Sequence, residues 1–172
     1  MWTLNRAATF LISWGICMKK LELITIGQQN TQLLSPLLQD PALLLAAGLT
    51  YSPTMGLLGI QLIAAREHLF AITFHEQTVG ILLLGHQYGQ EGEILPKQWE
   101  VGYAVLPQFQ NQGIASAAVQ QVIAQLTRQH RISIITADIK TDNGPSQAVV
   151  RHCGFSLIAS RNGIQRWQFA NK

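Results

Sequence analysis

The chain is short of charge, of cysteine and of basic clusters, and each shortage removes a class of function. Asp, Glu, Lys and Arg make up 12% of the 172 residues, and the formal net charge is only +3. The single adjacent basic pair is Lys19-Lys20, and no Lys/Arg stripe interleaved with aromatics follows it, so no nucleic-acid partner is expected. Sparse charge leaves apolar surface that a subunit interface can cover, which makes a homodimer one expectation. The two cysteines, Cys17 and Cys153, have neither metal-ligand spacing nor a C-x-x-C arrangement. That removes a disulfide framework and a zinc site, and it fits a reducing cytoplasm. Histidines 68, 75, 86, 130 and 152 are scattered singly, so no metal is expected.

No membrane association is expected either. The opening MWTLNRAATFLISWGIC places Arg6 before a short apolar stretch, as a secretory signal does. It has no A-x-A-like cleavage site, and the apolar run is too short to span a bilayer. Met18 then opens MKKLELITI, an ordinary cytoplasmic start leading into a strand. Residues 1–17 are therefore read as an extension and 18–172 as the domain.

What is present is apolar patterning, with 48% of the residues hydrophobic, enough for one core at this length. Leu21 to Ile26 alternates as a half-buried strand. Asn30 or Thr31 caps a helix to about Gln39, and Asp40-Pro41 is a cap and first position for a second helix ending near Gly48. Ser52-Pro53-Thr54 precedes a third, to about Glu67. Strands follow over Leu69–His75 and Val79–Gly85, joined by Glu76-Gln77-Thr78. Tyr88 to Lys97 reads as an exposed loop bordering a site, and Trp99 to Val105 as a strand stopped by Pro107. In the next helix Val119, Val122, Ile123 and Leu126 share a face. Ile132 to Ile139 reads as a central strand covered on both faces. A helix over Pro145–Cys153 ends at Gly154. The final strands flank Arg161-Asn162-Gly163, where Asn-Gly signals a hairpin. The sum is a mixed α/β (α+β) domain on one sheet of six or seven strands.

Chemistry is concentrated in two stretches. The first, QFQNQGIASAAVQQVIAQL from Gln108 to Leu126, starts a helix straight after a glycine turn. Such a helix end exposes backbone N–H groups and a positive dipole, and thus suits an anion. It matches neither the P-loop nor the dinucleotide fingerprint, and on spacing alone an ordinary strand-to-helix turn is as good a reading. The second is Asn143-Gly144-Pro145-Ser146 leading to Arg151-His152-Cys153-Gly154-Phe155.

Gln110-Asn111-Gln112-Gly113-Ile114-Ala115 resembles the Q/R-x-x-G-x-G/A segment of the GNAT N-acetyltransferase superfamily. The Asn143 stretch resembles that superfamily's N-x-x-S/A…G-F helix. Glu100-Val101-Gly102-Tyr103 resembles the E-x-G-Y strand of the branch acetylating N-termini of ribosomal proteins and related amines. The three motifs lie in the family's order and spacing, and the element order resembles it from 18 to 172. The resemblance implies a GNAT-like, mostly antiparallel sheet with helices on both faces and splayed central strands. It implies acetyl-CoA as acyl donor and an amine as acceptor, without metal. Backbone groups of Tyr103 and Val105 would pair with the pantetheine arm. Those of Gln110, Asn111, Gln112, Gly113, Ile114 and Ala115, with Ser116 nearby, would hold the pyrophosphate, and Asn143 would bond the arm from the other side.

The implied reaction is direct attack of the amine on the thioester. Glu100 is the candidate base, through water, and a solvated strand-edge glutamate is its plainer reading. Many family members carry a tyrosine seven residues after the motif asparagine, where this chain has Val150. Ser146 is the nearest substitute as proton donor, although a first-turn helix residue is often just that. Cys153 reads as buried filler, while Arg151 and His152 read as exposed surface, contact of Arg151 with a CoA phosphate being the alternative. The alternative is a non-catalytic acyl-CoA-binding or regulatory module, and beyond that a structural domain with no nucleotide ligand. The acceptor has no legible motif, and no acidic cluster is evident in the segments expected to shape its site.

Overall fold

In the computed structural model, which describes residues 21–49, 53–65 and 67–171, the chain turns where local chemistry tells it to. Strand β1 (Leu21–Thr25) leads to a 3-10 turn (Thr31–Leu37), helix α1 (Pro41–Ala46), a second 3-10 turn (Pro53–Met55) and α2 (Gly56–Ala64). Strands β2 (His68–Phe74), β3 (Gln77–Tyr88) and β4 (Ile94–Val105) follow. A 3-10 turn (Pro107–Phe109) then precedes α3 (Ile114–Arg128), β5 (Ile134–Lys140), α4 (Gly144–His152), β6 (Ser156–Arg161) and β7 (Ile164–Ala170). Residues 1–17 lie outside the described residues, and so does the expectation placed on them.

Several boundaries differ from those the sequence suggests. Thr31–Leu37 is a 3-10 segment with Pro36 inside it, whose ring would clash with the carbonyl four residues back, at Gln32, in an α-helical turn. Asn30 does not cap it; its side chain accepts from Gly27 N at 2.7 Å and donates to Thr25 O at 2.9 Å. Asp40 does cap α1, accepting from Leu43 N at 3.1 Å. The β2–β3 turn is His75-Glu76 rather than Glu76-Gln77-Thr78, since Phe74 pairs with Gln77. Both turn residues take positive φ, 50° and 64°, as a two-residue hairpin with the right twist requires. The expected long loop at Tyr88–Lys97 is mostly strand, because Tyr88 pairs with Ile94 and prolongs the β3–β4 hairpin past a register shift. The last hairpin is as anticipated, with Asn162 and Gly163 at φ 53° and 77°.

The sheet runs β1-β2-β3-β4-β5-β7-β6. Every neighbouring pair is antiparallel except β4–β5, which is parallel and confined to Gln98–Glu100 against Ile134–Thr136. Beyond Glu100 and Thr136 the two strands part, although both continue. The expected splay of the central strands is therefore located to one residue pair.

Cores form on the two sides of the sheet. Trp99, Val101 and Val105 pack with Val119, Val122 and Leu126 of α3 and with Val150 of α4. Ala104 and Ile81 pack with Leu43 and Leu44 of α1 and Ile60 of α2. Alternation along β4 thus sends Glu100, Gly102 and Ala104 to the α1–α2 side. Gly102 is required there, because a Cβ would run into the carbonyl oxygen of Ala47. Strand β5 is covered less completely than expected, with Asp138 and Lys140 exposed. Among the described residues, no helix is long and apolar enough to cross a membrane.

Candidate active site

The parting of β4 and β5 opens a cavity of about 580 Å³ between β4, the start of α3 and the start of α4. Most of the residues singled out in the sequence meet in it. Tyr103 and Val105 form its β4 wall, Gln110 and Asn111 its turn, and Gly113 to Ser116 the first turn of α3. Asn143 and Ser146 close it from α4. Two of the expected residues do not line it. Gln112 turns back, donating through Nε2 to Gln108 O at 3.2 Å, and Glu100 lines a different cavity.

The turn before α3 is built from two left-handed residues, Asn111 at φ 59° and Gly113 at φ 77°. Gly113 stands at the N-cap position, and among the described residues no side chain caps the helix. Its first backbone N–H groups are thus left for whatever enters the cavity. Gln110 Nε2 donates to Val105 O at 2.9 Å, tying the turn to the end of β4. At α4, Asn143 Oδ1 accepts from Ser146 N at 3.1 Å, so this asparagine's oxygen serves as helix cap.

Tyr103 has a role the sequence did not disclose. Its hydroxyl donates to Ser146 O at 3.1 Å, bridging the gap from β4 to α4. Burial pushes its pKa well up, with the Ser146 contact opposing, so the hydroxyl stays protonated. Val150, at the position of the family's tyrosine, is fully buried in the core. Cys153 is buried as expected, its thiol against Ser116 O at 3.5 Å and its pKa pushed up to about 11 by burial. Arg151 turns away from the cavity, its guanidinium 5.5 Å from the Trp167 ring centroid, whereas His152 lines it.

A second cavity, of about 600 Å³, lies beside the first along α1 and β4. Leu43, Ala46, Tyr103 and Ala104 border the first, and Ala47, Gly48, Glu100 and Gly102 the second. Glu100 is open to this cavity, yet the surrounding protein withdraws enough solvent to raise its pKa. The negative charges of Asp138 and Glu67 push it the same way, and Arg166 opposes them. Arg166 is itself held by Asp138, at 2.7 and 2.6 Å. Glu67 shares the cavity, although 33 positions of sequence (100 − 67) separate it from Glu100. Gln87 joins β3 to the neighbouring strands, donating through Nε2 to Trp99 O of β4 at 3.0 Å and Thr136 Oγ1 of β5 at 2.6 Å.

A family model described as an acetyltransferase (GNAT) domain matches residues 50–156. The chain belongs to the GNAT acetyltransferase family. Solved GNAT structures share its fold at low identity. One is RimL, the ribosomal L7/L12 alpha-N-protein acetyltransferase in complex with coenzyme A. It is 21% identical with a TM-score of 0.71, over 90% of this chain and 96% of that one. Another is the ribosomal-protein-S5-alanine acetyltransferase of Vibrio fischeri, 15% identical with a TM-score of 0.70 over 89% and 94%. A third is the microcin C7 self-immunity acetyltransferase MccE with acetyl-CoA and AMP, 15% identical with a TM-score of 0.68 over 89% and 93%. No curated protein sequence matches the chain at a significant level. This GNAT domain has the family's parted strands, and among its described residues no group of three or more His, Cys, Asp or Glu is placed to hold a metal ion.

Proposed function

We propose that this GNAT protein transfers the acetyl group of acetyl-CoA to a primary amine, a small molecule or a protein N-terminus, by direct attack. The observation that carries the reading is that the β4–β5 pairing stops at Glu100 and Thr136. It leaves one cavity leading to the open N-terminus of α3 and another containing Glu100, side by side along β4. The first suits the donor: the helix N–H groups and dipole meet the pyrophosphate, and the unpaired stretch of β4 offers backbone groups to the pantetheine amides. The second suits the acceptor.

In the reaction the amine nitrogen attacks the thioester carbonyl carbon, and the carbon–sulfur bond breaks with its electron pair on sulfur. The proton lost by nitrogen passes to Glu100 through water; the thiolate is stabilised by a hydrogen-bond donor in the first cavity and takes its proton from solvent. An α-amine, with a pKa near ~7.7, needs less help from Glu100 than a lysine near ~10.4. Tyr103 and Ser146 both line the donor cavity; the Tyr103 hydroxyl reaches across the gap to Ser146 O at 3.1 Å, and this fixed position supports it as the group that hydrogen-bonds the thiolate. A thiol whose own pKa is about 8.5 needs only that modest assistance.

The test has two parts. Saturating acetyl-CoA should raise the melting temperature, and a panel of amines and N-terminal peptides should release CoA thiol. No stabilisation at millimolar acetyl-CoA defeats the reading. Stabilisation without thiol release from any amine leaves the non-catalytic acyl-CoA-binding module, which the buried Val150 favours.

A further inference from the structure

Glu67 is in an unfavourable place for stability alone. It follows α2 by three residues, with its backbone N bonded to Ile63 O at 2.9 Å. A carboxylate near the end of a helix faces the negative pole of the dipole. Its Oε2 is buried and has no hydrogen-bond partner among the described residues, an arrangement that costs stability unless a ligand supplies the missing donor. The oxygen lies over Gly85, where a Cβ would stand 3.1 Å from it. Gly85 is the cross-strand partner of Glu100, and directly paired residues project to the same face of an antiparallel sheet. Two carboxylates from distant parts of the chain therefore meet on one side of one cavity. Leu49, Leu62 and Ile63 give the same cavity apolar lining, and His86 also lines it, its buried Nδ1 likewise without a hydrogen-bond partner among the described residues.

We propose that Glu67 is a specificity-determining residue, which binds the acceptor's cationic amine beside Glu100 while Leu49, Leu62 and Ile63 receive an apolar group attached to it. This deepens the proposed function and rests on it. An acceptor carrying a carboxylate next to its amine is disfavoured, because that charge would enter a cavity already holding two of the same sign. A free amino acid is thus a poor acceptor, and its amide, or a peptide N-terminus with an apolar first residue, a good one. Glu67 holds the amine beside Glu100; the ammonium loses its first proton to solvent, and Glu100 takes, through water, the one that nitrogen loses on attack.

The experiment compares leucinamide with leucine as acceptors for wild type, Glu67→Gln and Glu67→Asp, reading CoA release. Wild type should prefer leucinamide. Glu67→Gln should raise the KM for leucinamide about tenfold or more, narrow the preference over leucine, and leave the KM for acetyl-CoA unchanged. Glu67→Asp should recover part of the loss. A second readout is the pH dependence. The charged groups acting on Glu100 are Glu67, Asp138 of β5 and Arg166 of β7; removing the Glu67 charge should move the Glu100 limb of kcat/KM to lower pH. Turnover with unchanged leucinamide KM and unchanged preference in Glu67→Gln overturns this inference alone. No turnover by wild type with any amine overturns the proposed function and this inference with it.

Discussion

The hydroxyl of Tyr103 donates to the backbone carbonyl of Ser146 at 3.1 Å, across the gap left where β4 and β5 part. The bond reaches the main chain and not the serine side chain, so the two residues make separable predictions. Tyr103→Phe should lower kcat about tenfold or more through loss of the donor to the departing thiolate. Ser146→Ala keeps the carbonyl and should leave kcat within about twofold, since it removes nothing that Tyr103 uses. A larger loss in Ser146→Ala than in Tyr103→Phe would return the donor role to the serine.

At Gly113, strain and charge can be told apart. Its φ of 77° is left-handed, a conformation that Asn and Asp tolerate better than other side chains. Gly113→Asn should weaken acetyl-CoA binding modestly. Gly113→Asp adds a negative charge where the pyrophosphate is expected and should cost about tenfold more in affinity. Calorimetric titration of both variants checks it; equal affinities would mean that no anion lies at this helix end.

Glu100 should titrate into activity. Its pKa is raised, first by desolvation and then by Asp138 and Glu67, so the base form appears only above the ordinary carboxylate range. Wild-type kcat/KM should fall as pH drops through that raised value. Glu100→Gln should lose rate by about a hundredfold and lose that limb, keeping only the one set by the amine itself. Because Glu100 is outside the donor cavity, acetyl-CoA affinity should not change.

Gly102→Ala tests the contact that separates the two cavities. The new Cβ must displace Ala47, whose carbonyl oxygen occupies that space. Overpacking against backbone costs about 1–3 kcal/mol, enough for a melting temperature several degrees lower. Thermal denaturation measures it.

Val150→Tyr asks whether the family's tyrosine can be restored. Val150 is fully buried against the α3–α4 core, so the ring has no room and the variant should be destabilised by about 1–3 kcal/mol without gaining rate. A faster, equally stable enzyme would show that this position opens toward the donor cavity.

What the sequence by itself determined was whatever depends on a few consecutive residues. Asp40 before Pro41, the left-handed Gly113 and the Asn162-Gly163 turn each specify a local backbone shape, and short-range sterics and hydrogen bonds suffice to impose it. The Gln110 to Ser116 turn and Asn143 stood out only through their resemblance to family motifs, since on spacing alone an ordinary strand-to-helix turn read as well. The helix reading of Thr31–Leu37 failed because Pro36 inside the segment was passed over, a local signal too. Only the tertiary structure decided the rest: that β3 and β4 pair on to Tyr88 and Ile94, that β4 and β5 part after Glu100, that the Tyr103 hydroxyl reaches α4, and that Glu67 comes to Glu100. Those relations join residues far apart in the chain. They are set by strand register and by the packing of helices on the sheet, which no window of neighbouring residues contains.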